Sequence, residues 1–328
     1  FDTMLSNQPG RLDHYWREVS YNKIDIEGSV AHGWFTLPHP RSHYVPDGGS
    51  ADLDALFDDC TGVADSVVHF PDYVGVNLFF NDDLDGFAWG GGAFATLDGV
   101  SRVWYATWEP PWGYRHEAPL AHEMGHGFGL PHANNSDFDG SPYDNPWDVM
   151  SDAWSNATGS DGATYGWLPK HIGTWSSNHL DWIDAARKRV VASDGAVNGI
   201  VLDRASLVGS TNVQMIVVTL PPPAPVWYSY VIEARKRVGT YEAALAGDAV
   251  IIHEVDTTRD EPAWSVDASV PPADTSNNEG SMFKVGESWT APGGAFTVSV
   301  VGATSEGFVL NLLRGADPDL IFRDGFGE

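Results

Sequence analysis

The sequence predicts an α+β protein in two parts, a helix-backed sheet domain over residues 1–184 and an antiparallel β-sandwich domain over 185–315, followed by a tail over 316–328. Three observations carry this expectation. Leu53, Leu56, Phe57 and Cys60 recur at helical spacing behind an Asp-rich first turn, the pattern of an amphipathic helix. YVGVNLFFN at 73–81 and SRVWYATWEP at 101–110 have the texture of strands. Beyond residue 185, alternating runs such as NGIVLDRASLV, NVQMIVVTLP and WYSYVIEARKRV recur with turns between them. The 328 residues, 42% hydrophobic and 12% aromatic, are ample for a packed core.

In chain order, YNKIDIEGSVAHGWFTLP at 21–38 reads as one or two strands broken at Gly28 and Gly33. The helix that begins near Leu53 is expected to back the sheet, with Cys60 as a small buried apolar group. NDDLDG at 81–86 is an acidic turn, and GFAWGGGAFATLDG at 86–99 a Gly-rich strand, where glycines permit close approach of another backbone.

The stretch HEMGHGFGLPH, His122 to His132, is what the first half is built to hold. If residues 117–127 are helical, His122 and His126 leave one face a turn apart. Glu123 then points beside a shared metal rather than at it, where a carboxylate takes a proton from water. Gly129 can end the helix in a left-handed conformation and Pro131 forbids its resumption, so the chain can bring His132 back toward the same point. Three nitrogen ligands with an open position describe catalytic zinc, whereas structural zinc is closed by four protein ligands, mostly cysteines. Only one cysteine exists here.

Between His132 and Met150, ANNSDFDGSPYDNPWDV is crowded with side-chain oxygens. Asp137, Asp139 and Asp144 are candidate calcium ligands; the same residue types also make ordinary Asx turns.

The pattern HExxHxxGxxH resembles the metzincin zinc metallopeptidases. The resemblance implies a catalytic domain with a twisted mixed sheet, a backing helix and an active-site helix, with zinc on His122, His126 and His132 and Glu123 as general base. It makes Met150, eighteen residues beyond His132 in WDVM, the Met-turn that floors the metal. It places Gly90, Gly91, Gly92, Ala93 and Phe94 on the strand that pairs with extended substrate; a bulge or loose loop is the plain alternative. Some metzincins carry a metal- or substrate-contacting tyrosine two places after that methionine. Asp152 stands here, so that role is not carried over, and Tyr143, Tyr165 or His171 is left to stabilise an oxyanion. TYGWLPKHIGTWSSNHLDWI and YVIEARKRVGTYEAALAGDAVIIHEVD are similar to segments of immune-inhibitor-A-like and gametolysin-like peptidases, and His132 favours the gametolysin-like branch.

Acidic residues outnumber basic ones 45 to 18, a formal charge of -27, which argues against nucleic acid or anionic membranes as partners. The basic islands AARKRVV at 185–191 and EARKRVG at 233–239 are expected to be solvated edges with local ion pairs. The remaining histidines have no spacing that demands metal. No apolar run is long enough to span a bilayer, and FDTMLSNQPG reads as the start of a processed chain. The resemblance implies a secreted, extracellular protein of bacterial type, acting as a monomer on a polypeptide substrate. Two other readings stay open: a catalytically silent protein- or glycan-binding module with a vestigial zinc site, and a zinc hydrolase for non-peptide bonds.

Overall fold

The computed structural model describes residues 1–220, 223–272 and 278–315; the expected tail over 316–328 lies outside them. The helices are α1 (Leu12–Val19), α2 (Arg41–Tyr44), α3 (Leu53–Ala64), α4 (Pro111–Arg115), α5 (Glu117–Gly127) and α6 (Thr174–His179). Strands β1 (Gly75–Phe79), β2 (Trp89–Leu97), β3 (Val100–Glu109), β4 (Asn134–Asn135), β5 (Thr158–Gly159) and β6 (Trp167–Leu168) belong to the first half. They are followed by β7 (Lys188–Val191), β8 (Gly195–Asp203), β9 (Met215–Thr219), β10 (Tyr228–Arg235) and β11 (Ala249–Asp256). The last are β12 (Ala263–Ser265), β13 (Ser288–Thr290), β14 (Phe296–Ala303) and β15 (Gly307–Arg314). The fold is mixed α+β, and among the described residues no sheet closes into a barrel.

Two compact units divide the chain: Phe1–Trp16 with Asp25–Leu130 and Ala157–Pro169, and Arg17–Ile24 with Pro131–Asn156 and Lys170–Glu328. The first contains a three-stranded mixed sheet in the order β1-β3-β2, with β1 parallel and β2 antiparallel to β3. Asp98 and Gly99 join β2 to β3 with φ of 47° and 79°, the left-handed pair that a two-residue hairpin requires. Because successive strand residues face opposite sides, Trp104, Ala106 and Trp108 of β3 share a core with Leu56 and Phe57 of α3. Asp52 caps α3 by accepting the Ala55 amide at 2.9 Å. Tyr105 faces the other side, where its Cβ lies near Gly127 of α5. The sheet is thus held between a backing helix and the histidine-bearing helix. Cys60 packs against the α3 core, and burial with the neighbouring Asp59 pushes its thiol up to about 12, so it is a neutral apolar group rather than a thiolate.

In the second unit the sheets β4-β12-β11-β10-β9-β7 and β13-β14-β15-β8 share one core. Ile216, Val218, Ile232 and Ile252 meet Phe296, Val298, Leu310 and Leu312 there. The larger sheet departs from the antiparallel expectation at both ends: β7 joins β9, and β4 joins β12, in parallel.

Two expectations about local structure fail. Residues 21–38 form no strand, because their amides are taken by nearby side chains instead of a ladder. Asp13 accepts from Ile26, Asp2 from Ala31 and Ser20 from Ile24 at 2.7, 2.8 and 3.2 Å. The EARKRVG segment is not a solvated edge at its start: Glu233 and Arg235 are wholly buried. The Arg235 guanidinium donates to Glu233 at 2.7 Å, to Glu242, and to the Ile172 carbonyl at 3.0 Å.

Candidate metal centre

The histidine helix has the bounds that its sequence predicts, and its end explains how the ligands converge. Gly129 takes φ of 92°, its amide donates to the His126 carbonyl at 2.9 Å, and the Leu130 amide donates to the Gly125 carbonyl at 3.0 Å. These paired bonds close the helix and reverse the chain. The Leu130 carbonyl that this turn delivers lies 2.8 Å from Nδ1 of His126. A carbonyl can only accept, so Nδ1 carries the proton. Burial lowers the pKa of His126, favouring a neutral ring whose Nε2 bears a lone pair.

That lone pair faces Nε2 of His122 at 3.2 Å, with the two rings nearly perpendicular at 85°. Two nitrogens about 2.0–2.1 Å from one tetrahedral zinc ion would lie about 3.3 Å apart. One ring nitrogen of His132 completes the group, all three lying within 4.8 Å of one another. The donor set therefore fits a single zinc ion, with all three ligands supplied by one continuous stretch of eleven residues.

Glu123, between the two helical histidines, is buried, and burial pushes its carboxyl up to about 8. Glu109 ends β3 on the α5 side of the sheet, fully buried, and neither carboxylate oxygen has a hydrogen-bond partner. Burial first, and the charge of Glu123 second, raise its pKa well above the carboxylate range. Two such groups favour sharing a proton over both ionising. Glu109 was not legible in the sequence: a single glutamate before Pro110 and Pro111 carries no spacing signal.

Gly90 lets β2 approach the helix, since a Cβ there would overlap the backbone of Glu123. β2 is also an edge strand, with β3 on one side only. Along it Ala93 is buried in the α3 core and Phe94 is 75% exposed.

Beyond His132, the Ala133 amide donates to the carbonyl of Met150 at 3.0 Å, which ties the two segments together. Asp148 shapes the turn, accepting the Met150 and Gly173 amides, each at 2.8 Å. Trp147, Val149 and Met150 are wholly buried. Comparison with protein-family models, curated proteins and solved structures finds no match.

Of the three aromatic or imidazole groups considered for an oxyanion, Tyr143 has its ring 5.0 Å from that of His132, edge to face. His171 is buried and bonded to Glu18 at 2.7 Å, and Tyr165 lies under the Arg11 guanidinium at 3.5 Å. Tyr143 is accordingly the group placed against a candidate ligand. Asp152 has structural duties: it accepts the amides of Trp154 and Ser155 and lies 3.5 Å from the buried Lys170 ammonium.

The acidic loop satisfies both readings made of it. Asn135, Asp137 and Asp139 each accept the amide two residues on, at 2.7, 3.0 and 2.7 Å, a run of Asx turns. One oxygen from each of Asp137, Asp139 and Asp144 nonetheless falls within 4.8 Å of the others. Burial, with the like charges of Asp137 and Asp139, pushes Asp144 up to about 7; the amides of Asn135 and Asp144 itself offset part of this without completing a hydrogen bond of normal geometry.

Proposed function

We propose that this chain is a secreted zinc-dependent endopeptidase of metzincin type, resembling the gametolysin-like and immune-inhibitor-A-like enzymes. The convergence of His122, His126 and His132, with His126 locked by the Leu130 carbonyl, carries the reading. Zinc, when bound, supplies a Lewis acid that polarises a peptide carbonyl and acidifies water.

The protein's own groups do the rest. Glu123, as carboxylate, takes the proton of the attacking water, and its raised proton affinity suits it to hold that proton and give it to the leaving amine. Tyr143, whose ring lies 5.0 Å from that of His132, is the group assigned to the oxyanion in this reading. The edge strand β2, from Gly90 to Phe94, offers backbone groups to an extended substrate, and Met150 floors the site. The metzincin-type catalytic domain is assigned to residues 1–184, and the β-sandwich domain to 185–315.

Casein digestion by the purified chain should cease with 1,10-phenanthroline and return on adding stoichiometric zinc. Digestion unaffected by the chelator would overturn the zinc reading. Saturable protein or glycan binding without any cleavage would instead favour the silent binding module.

A further inference from the structure

We propose that Asp137, Asp139 and Asp144 form a calcium site that fastens the loop between His132 and Met150. One oxygen from each lies within 4.8 Å of the others, a spacing that three carboxylates sharing one cation adopt. The decisive observation is Asp144. It is only 6% exposed, and neither of its carboxylate oxygens has a hydrogen-bond partner. Leaving an ionised carboxylate buried and unpaired is among the costliest arrangements in a protein, unless a ligand completes it.

The chemistry of the donors selects the ion. Oxygen alone suits a hard cation, and calcium accepts several carboxylates on an irregular loop at about 2.3–2.6 Å, so opposite ligands lie about 5 Å apart. Magnesium demands near-octahedral geometry, keeps its waters and takes one or two carboxylates. The Asx turns consume one oxygen each of Asp137 and Asp139 and leave the other oxygen for a cation.

The loop is anchored at both ends, as a chelating loop needs to be. Asn134 and Asn135 pair with Trp264 and Ser265, and the Ser136 hydroxyl accepts the Asp267 amide at 3.0 Å. On the far side, the Ser151 hydroxyl donates to the Pro142 carbonyl at 2.7 Å and accepts the Asn145 amide at 3.0 Å. Between the anchors lies Tyr143, beside His132. An ion on the three carboxylates would order this tyrosine together with the loop.

The test uses the full chain carrying Glu123→Gln, which prevents self-digestion, in zinc-replete buffer at about pH 8, above the value of about 7 to which burial pushes Asp144. Equilibrium dialysis with radioactive calcium should show one ion per chain, with a Kd on the order of 10⁻⁵ to 10⁻³ M. Saturating calcium chloride should raise the thermal unfolding midpoint by a few degrees. Asp144→Asn should weaken uptake at least tenfold and, without calcium, unfold at a higher temperature than its parent, because the unpaired buried charge is gone. Asp139→Asn, at an exposed position, should also weaken uptake without disturbing the fold. Absence of saturable calcium uptake up to about 10 mM, undiminished binding by both variants, or equal affinity for magnesium chloride would each overturn the proposal. None of these readouts depends on peptide cleavage, so the site stands or falls separately from the zinc reading.

Discussion

Glu123→Gln should lower the turnover of a peptide substrate by about 10² to 10⁴, a typical share for general acid-base work. The amide keeps the volume of the side chain but accepts no proton from water. Because Glu123 is not a ligand in this account, zinc should remain bound and KM should change far less than kcat. The substitution also removes a buried carboxyl whose own pKa is raised to about 8, so the folded state should gain stability at neutral pH. Stopped-assay kinetics with a quenched fluorescent peptide, combined with metal analysis of the same preparation, separate these effects. Full activity in this variant would remove Glu123 from the mechanism.

The second large effect concerns stability. Arg235→Leu should destabilise the protein by about 3–5 kcal/mol, because it strands two buried carboxylates that this guanidinium pairs with directly. Glu233, Arg235 and Glu242 are all buried, and Glu233 also accepts the Thr174 amide at 2.5 Å and lies 3.4 Å from His253. Burial alone would raise the pKa of Glu233, but Arg235 and then His253 outweigh it and hold the carboxyl far below its ordinary 4.5.

The sign of the pH dependence follows from that depression. The stabilisation from Glu233 is fully present above its unfolded value of about 4.5 and is lost as the pH falls toward the folded value. Urea denaturation at neutral pH should therefore show the larger loss in Arg235→Leu, and the gap to the parent should narrow on acidification. A loss below about 1 kcal/mol would mean that the two glutamates are neutral or solvated when the arginine is absent.

The parts of this molecule that were legible in its sequence are those in which one short stretch contains its own explanation. The histidine helix is the clearest case: spacing i, i+4, a left-handed glycine and a proline define its face, its end and its return. The helix read from Leu53, Leu56, Phe57 and Cys60 behind an Asp-rich first turn is equally local.

Features set by distant partners were hidden. Leu12, Tyr15, Trp16 and Val19 have helical spacing and are all buried, yet α1 went unread because the surrounding turn residues dominate the first fifty positions. Arg235 sits in a run of charges that would be solvated anywhere else, and Glu242 and the Ile172 carbonyl, both distant in sequence, join Glu233 in offsetting the cost of its burial. β4 is two residues long and exists because β12 lies beside it, 130 residues later. The acidic loop was half legible: composition named its carboxylates, but only the fold could show that Asp144 is buried without a partner.

The central claim is most directly tested by zinc content. Inductively coupled plasma mass spectrometry on the purified chain, dialysed against zinc-free buffer, should find about one zinc per molecule, as three converging imidazoles with one open position predict. His126→Ala should fall to background, while circular dichroism shows the fold retained. A parent chain with no stoichiometric zinc after reconstitution, or a His126→Ala variant that holds zinc as well as the parent, would contradict the account.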